Sequence, residues 1–323
     1  RYFMKNKQKS EIYSCLPRRC VEKLEKLKKL ENGTEIWDTL EEIRIRKCGP
    51  IILVGGGFSR LLADGDVTDN RSKAYITDSQ LTDDIVKICT GFSPYAYEKY
   101  LAEGYVTVWG GHRVGICGTA VIKDGKICGF KNVSSVNIRI AHDVGNFGKN
   151  VAAVINGGAN CLSTAIVSPP KCGKTTLLRN LARYISSGIC GKMRCVCIAD
   201  ERGEICSMND GIASFDIGIN TCVIDGCPKK DAVEIALRTM SPDVIICDEI
   251  FARFEADALC RAIYGGVSVI YAVHGRNFED IRLADRFGDL GALTEYCVEL
   301  SSRRGVGSIE NMRRMGAESG GIC

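Results

Sequence analysis

The sequence predicts an α/β protein of two domains: an α/β domain with a parallel sheet over residues 143–323, preceded by a smaller α+β domain over residues 1–142. Three observations carry that prediction. Short apolar strands alternate with amphipathic helices from Cys161 onward, a pattern that builds a parallel sheet covered on both faces. Upstream, glycine-punctuated strands follow one another with few helices between them, as in a mostly antiparallel sheet. Between the two regimes lies a Gly/Asn-containing stretch, His142-Asp-Val-Gly-Asn-Phe-Gly148.

In the first domain, Ile12–Leu30 reads as an amphipathic helix, Leu24, Leu27 and Leu30 standing among lysines that form its solvated face. Thr39–Arg46 alternates as a strand with its arginines on one face, and Gly49-Pro50 stops it. Ile51–Val54, followed by three glycines, is a second strand, and helices are expected over Asp78–Thr90 and Pro94–Glu103. The run Gly104–Gly118 reads as strand, glycine turn and strand, the turn carrying His112 and Arg113. Ala120–Ile122 and Ser135–Ile140 add further strands.

In the second domain Cys161–Val167 is a buried strand, behind which Leu177, Leu178, Leu181 and Ile185 recur at helical spacing. Cys195–Ala199 is the next strand and residues 229–240 a helix. Pro242–Ile250, a helix at Phe254–Tyr264 and the strand Val267–His274 complete the alternation.

Between the first of these strands and its helix stands Ser168-Pro-Pro-Lys-Cys-Gly-Lys-Thr-Thr176, close to the phosphate-loop pattern G-x-x-x-x-G-K-[ST], also called Walker A. Ser168 holds the place of the first glycine, and Pro169 and Pro170 restrain the entry of the loop. Backbone N–H groups from Ser168 through Lys171, Cys172 and Gly173 to Thr176 would wrap phosphate, aided by the helix dipole. Lys174 would reach the β and γ oxygens and Thr175 would offer its hydroxyl to Mg2+. This reading implies a nucleoside triphosphate site.

Ligands of such sheets bind beyond the carboxyl ends of the strands, where this sequence places Asp200 and Glu201, Asp248 and Glu249, and His274. Asp248 is expected to hold Mg2+ through water, and Glu249 to orient or deprotonate an attacking water, which points to hydrolysis. His274 would contact the γ-phosphate. Asp200, Glu201 and Glu204 would support water or metal, or pair with Arg202. Arg113 and Arg139 are candidates for a cation delivered to the γ-phosphate from a neighbouring domain or subunit; surface ion pairs would account for either equally well.

Composition sets outer limits. At 45% apolar and 25% charged residues the chain is an ordinary globular one and not a disordered one. No apolar run approaches bilayer length, and the basic start with Arg1, Lys5, Lys7 and Lys9 has no apolar segment behind it, so a cytosolic location is expected. The 18 cysteines fall largely in strands, where reduced thiols act as small apolar residues. No Cys-x-x-Cys pair occurs, and Cys195 and Cys197 are expected on opposite faces of one strand, so a zinc site is not expected. Residues 1–30 carry seven excess positive charges against a net +4 for the whole. No basic-aromatic patch accompanies them, which makes nucleic acid an unlikely partner.

Several segments together resemble a known family in combination and order. They are Gly104-Tyr-Val-Thr-Val with Gly110-Gly-His-Arg-Val-Gly115, Ser135-Val-Asn-Ile-Arg-Ile140, Val167–Arg179, Asp200-Glu-Arg-Gly-Glu204 and Cys247-Asp-Glu-Ile250. The family is stage III sporulation protein AA, and the resemblance runs from about Leu16 to Glu310, with Ser168 fitting its loop. It implies a RecA-like P-loop NTPase domain and an ATPase of endospore-forming bacteria, similar to secretion and type IV pilus ATPases. Such an ATPase uses ATP and Mg2+ and self-associates into rings, hexameric in that superfamily. The resemblance further implies a cytoplasmic protein, peripheral to the mother-cell membrane, energising the channel complex between mother cell and forespore with membrane-protein partners. His274, Asp200 and Glu201 match positions that line the nucleotide site there, and arginines of the first domain reach the nucleotide, as Arg113 and Arg139 would. Two alternatives stay open: a nucleic-acid-dependent motor or loader, and a nucleotide-switched scaffold with little turnover.

Overall fold

Alternation along Ile43-Arg-Ile-Arg46 turns Ile43 and Ile45 into a core and leaves Arg44 and Arg46 on the other face, a bulge after Leu40 brings that residue into the same core, and this strand lies at the middle of the first of two seven-stranded sheets. The computed structural model describes residues 2–27, 35–93, 97–141, 147–209, 211–279 and 287–315. Its two compact units are Arg1–His142 and Asp143–Cys323. The stretch expected to separate two domains, His142–Gly148, lies mostly outside the described residues, as do Lys28–Leu30, Pro94–Ala96 and the tail after Met315.

The first unit begins with helices α1 (Tyr2–Ser14), α2 (Arg18–Glu25) and the short α3 (Ile36–Thr39). The single helix expected from Ile12 is therefore interrupted. Pro17 has no N–H to give to a helix running through it; it stands at the N-cap of α2 with φ −61° and ψ 146°, and the chain restarts there. Strands β1 (Leu40–Arg46), β2 (Ile52–Gly55), β3 (Phe58–Leu62) and β4 (Val67–Thr68) follow, then α4 (Leu81–Cys89) and α5 (Glu98–Ala102). Helix α4 starts later than the periodicity suggests because the Asp78 carboxylate accepts the N–H groups of Gln80 and Leu81. Strands β5 (Tyr105–Val108), β6 (His112–Lys123) and β7 (Lys126–Arg139) complete an antiparallel sheet in the order β4-β3-β2-β1-β7-β6-β5. Ala120–Ile122 is not a separate strand: it continues β6 into a long hairpin closed at Asp124-Gly125, whose φ values of 51° and 75° suit a two-residue turn. One face of the sheet packs Val114, Ile116, Val136 and Ile138 against Ile12, Leu24, Leu81 and Ile85.

The second unit runs α6 (Lys149–Ile155), β8 (Thr164–Ser168), α7 (Lys174–Ser186), β9 (Val196–Asp200), a small hairpin of β10 (Met208–Asn209) and β11 (Ile212–Ala213), and β12 (Thr221–Asp225). It continues with α8 (Lys229–Thr239), β13 (Val244–Glu249), α9 (Arg253–Tyr264), β14 (Ser268–His274), β15 (Tyr296–Ser301) and β16 (Ser308–Arg314). The sheet order is β12-β9-β13-β14-β8-β15-β16, parallel except for β16 at one edge. Helices α6 and α7 cover one face over Ile166, Ile198, Ile246 and Ile270; α8 and α9 cover the other over Val167, Ile245 and Tyr271. Burial on both faces is why these strands read as continuous apolar runs rather than alternations. The expected α/β class is the observed one.

The described cysteines are free thiols, and Cys197, Cys247 and Cys297 sit fully buried within strands. The expectation for Cys195 and Cys197 fails, because strand side chains repeat every two residues and this pair shares a face. Cys197 is buried there, whereas Cys195 is half-exposed at the strand's start.

Leu181, fully buried on α7, holds that helix to the sheet. Leu181→Ala is expected to cost about 2–5 kcal/mol, read as a lower denaturant midpoint at unchanged slope.

Candidate functional site

Four parallel strands end at one rim, and their order brings the sequence-predicted groups together. Ser168 closes β8 and is the register partner of His274, the last residue of β14; β13, ending in Asp248 and Glu249, is the next strand. A bulge sits at Asp248, since Cys247 pairs with Tyr271 and Glu249 with Ala272. It lets two consecutive carboxylates be placed at the strand end.

Between β8 and α7 the loop curls tightly. Lys171 adopts φ 60° and Gly173 φ 90°, and Gly173 caps α7. The first-turn N–H groups of α7, at Lys174, Thr175 and Thr176, have no preceding carbonyl to bond and form the positive end of the helix. Pro169, Pro170 and Lys171 are exposed, Cys172 is buried, and Thr175 and Thr176 are half-buried. The buried Ser168 hydroxyl donates to the Pro169 carbonyl and accepts from Lys174, so serine here ties the loop to its own lysine.

Lys174 is the hub. Its Nζ donates to the carbonyls of Ser168 (3.2 Å) and Pro169 (3.1 Å), lies 3.1 Å from His274 Nδ1 and 3.4 Å from Glu249 Oε1. His274 Nε2 lies 2.7 Å from the same Glu249 oxygen. Because an ammonium only donates and a carboxylate only accepts, the neutral tautomer that meets both contacts has the proton on Nε2, donated to Glu249, and the lone pair of Nδ1 facing Lys174. Burial lowers the Lys174 pKa, and the charge of Glu249 opposes that shift.

The acidic pair after β9 divides its work. Asp200, fully buried, accepts the N–H groups of Glu204, Ile205 and Cys206. It is the anchor of the loop that follows β9, its carboxylate bonded to three consecutive backbone N–H groups. Burial pushes its pKa up against the pull of those three donors. Arg179 on α7 grips the same loop through the carbonyls of Glu204 and Ile205 and stacks on Phe215. Glu201 pairs not with Arg202 but with Lys229, at 2.8 Å.

Sequence reasoning missed Lys229. Only 3% exposed, its ammonium lies 2.9 Å from Asp248 Oδ1 and 3.8 Å from Glu255 Oε1 as well. Burial depresses its pKa, but Asp248 and Glu201 outweigh that and raise it. The available signal was a lysine at the first position of a helix, against the macrodipole. Asp248 is buried and its Oδ1 meets no donor at hydrogen-bonding geometry, despite the short distance to Lys229. Asp248, at the carboxyl end of β13, and Thr175, in the first turn of α7, are the residues that could hold Mg2+.

Arg113 and Arg139 are cross-strand partners in the first unit, and Arg113 stacks on Tyr105 with its guanidinium carbon 3.6 Å from the ring centre. With Glu103, Ser135 and Asn137 they line an open pocket of about 190 Å³.

Residues 6–312 match the family described as sporulation stage III, protein AA. The chain belongs to the stage III sporulation protein AA family. It is 34% identical over 280 residues to Stage III sporulation protein AA of Bacillus subtilis (strain 168), covering 85% of this chain and 87% of that one. A 28% identity over 153 residues links it to the protein SEEDLING PLASTID DEVELOPMENT 1 of Arabidopsis thaliana, covering 46% of this chain and 21% of that protein. Among solved structures it shares its fold with the Legionella pneumophila ATPase DotB, at a TM-score of 0.51 and 17% identity over 80% of this chain and 72% of that one. The pilus retraction motor PilT, solved with bound ADP, gives 0.51 and 15% over 80% and 74%. This member of the sporulation family therefore has the fold of secretion and pilus ATPases. Among its described residues no helix is long and apolar enough to cross a membrane.

Burial, opposed by Lys229, raises the Asp248 pKa from 3.8 to about 7. The folded protein keeps a proton there that the unfolded chain has released, so the nucleotide-free protein should lose stability as pH rises from about 4 to about 7. Asp248→Asn should flatten that part of a stability-versus-pH curve measured by denaturant unfolding.

Proposed function

We propose that this protein is a Mg2+-dependent ATPase motor of the secretion-ATPase type. The observation that carries the reading is the triangle of Lys174, Glu249 and His274 at the mouth of the phosphate loop. Without phosphate the loop lysine rests on the carboxylate and imidazole. A triphosphate offers it stronger anionic acceptors, and its departure frees Glu249 Oε1 to take a proton from, or orient, a water in line with the γ-phosphate. His274 stays hydrogen-bonded to Glu249 through Nε2 and presents Nδ1 to the space Lys174 has left, where it can follow the γ-phosphate. The N–H groups of Gly173, Lys174, Thr175 and Thr176 bind phosphate oxygens. Thr175 and Asp248 are the residues that would hold Mg2+, which when bound neutralises charge on the β and γ oxygens. Glu201 acts on Asp248 through Lys229.

The kinship with secretion and pilus ATPases supports assembly into a ring, with the hexamer as the working state. In that assembly Arg113 and Arg139, which line an open pocket, are the cations offered to the γ-phosphate of a neighbouring copy. The sporulation family supports a place on the cytoplasmic face of the mother-cell membrane, where membrane proteins of the mother cell–forespore channel are the partners.

Phosphate release from Mg-ATP, measured across protein concentration with particle mass recorded at each point, tests the central step. Glu249→Gln should keep nucleotide affinity and slow turnover by about 10²–10⁴-fold, whereas Lys174→Ala should weaken nucleotide binding by about tenfold or more. Turnover that survives intact in Glu249→Gln would remove the reading. Arg139→Ala and Arg113→Ala should each leave nucleotide binding in place, and the variant lacking the true trans cation should drop turnover by about 10³-fold or more. Equal, unchanged rates in both would return these arginines to a structural role.

A further inference from the structure

A second lysine is buried at the same rim, and the hydrolytic steps above use it only indirectly. Lys229 is boxed in by three carboxylates and an aromatic ring. Glu201 Oε2 lies at 2.8 Å, Asp248 Oδ1 at 2.9 Å and Glu255 Oε1 at 3.8 Å, and the Phe251 ring centre at 6.0 Å. These groups come from the end of β9, the end of β13 and the start of α9, so one ammonium joins three separate elements. Glu255 is fixed by a second task, accepting the N–H groups of Phe251 and Ala252 at 2.7 and 3.0 Å. Its own helix end repels a cation, so the carboxylates hold Lys229 where it is. Asp248 Oδ1 is buried, with the Lys229 ammonium 2.9 Å away but no donor aligned on it.

We infer that Lys229 is a positioning residue that fills the cation place beside Asp248 in the nucleotide-free protein, so that a divalent ion enters only together with nucleotide phosphates. The inference rests on the reading of Asp248 as the Mg2+-side carboxylate. A divalent ion arriving alone would meet an ammonium already seated 2.9 Å from the oxygen it needs. Two cations that compete for one buried carboxylate oxygen repel each other. The phosphates change the balance by adding negative charge on the open side. Among the described residues no three His, Cys, Asp or Glu side chains are set to hold a metal ion by themselves.

The test is made on the full chain without nucleotide, so its outcome does not depend on whether ATP is hydrolysed. Mn2+ binding by electron paramagnetic resonance, and the dependence of the unfolding midpoint on Mn2+, are measured for the wild type, Lys229→Arg, Lys229→Met, and Lys229→Met combined with Glu201→Gln. The wild type and Lys229→Arg should ignore the metal. Lys229→Met should bind it at least about tenfold more tightly and regain thermal stability with it, and the double variant should lose that gain. A purely structural lysine would give a destabilised Lys229→Met that no metal restores. Folded Lys229→Met binding Mn2+ no better than the wild type would overturn the proposal. Should Lys229→Met fail to fold with or without metal, the proposal falls too, and so it does if the wild type or Lys229→Arg takes up Mn2+ without nucleotide as tightly as with it.

Discussion

A buried ammonium must be neutralised where it stands, and the rim of the parallel sheet is organised by two of them. Lys174 is 5% exposed and Lys229 3%. Burying an unpaired ammonium, or stripping its proton, costs a large part of a domain's stability, so carboxylates are brought to both. The bulge at Asp248 splits a consecutive pair: Glu249 goes to Lys174, while Asp248 is set beside Lys229, whose charge Glu201 balances at 2.8 Å. The phosphate loop and the acidic strand end are thus locked together before any nucleotide arrives.

The same constraint explains why the loop tolerates serine and prolines where a glycine is usual. Ser168 is the last residue of a buried strand, its hydroxyl used internally, and the curvature a glycine would supply is provided by Lys171 and Gly173 in left-handed conformations. Behind the loop, Asp200 and Arg179 fix the segment after β9 by backbone contacts, so that Glu201 reaches Lys229 from a rigid base.

The α/β architecture and the grouping of Lys174, Glu249 and His274 at the strand ends were legible in the sequence because each rests on a local pattern: apolar runs, a glycine-lysine loop, polar residues at strand ends. Pro17 was the local signal passed over in the first helix. The roles of Asp200 and Lys229 were illegible for a different reason. Whether a carboxylate faces solvent, a metal or its own backbone depends on the path of the next six residues, and Lys229 meets Glu201 and Asp248 only after β9, α8 and β13 have packed.

The strand order has a kinetic corollary. β8 is hydrogen-bonded to β14 a hundred residues downstream and to β15 beyond it, with β13 outside β14. No subset of the chain short of that span can assemble the loop with its glutamate and histidine, and pairings of such separation close late. A ribosome must therefore have released most of this unit before the nucleotide pocket can exist, and until then the nascent chain has no site for its own ligand to stabilise.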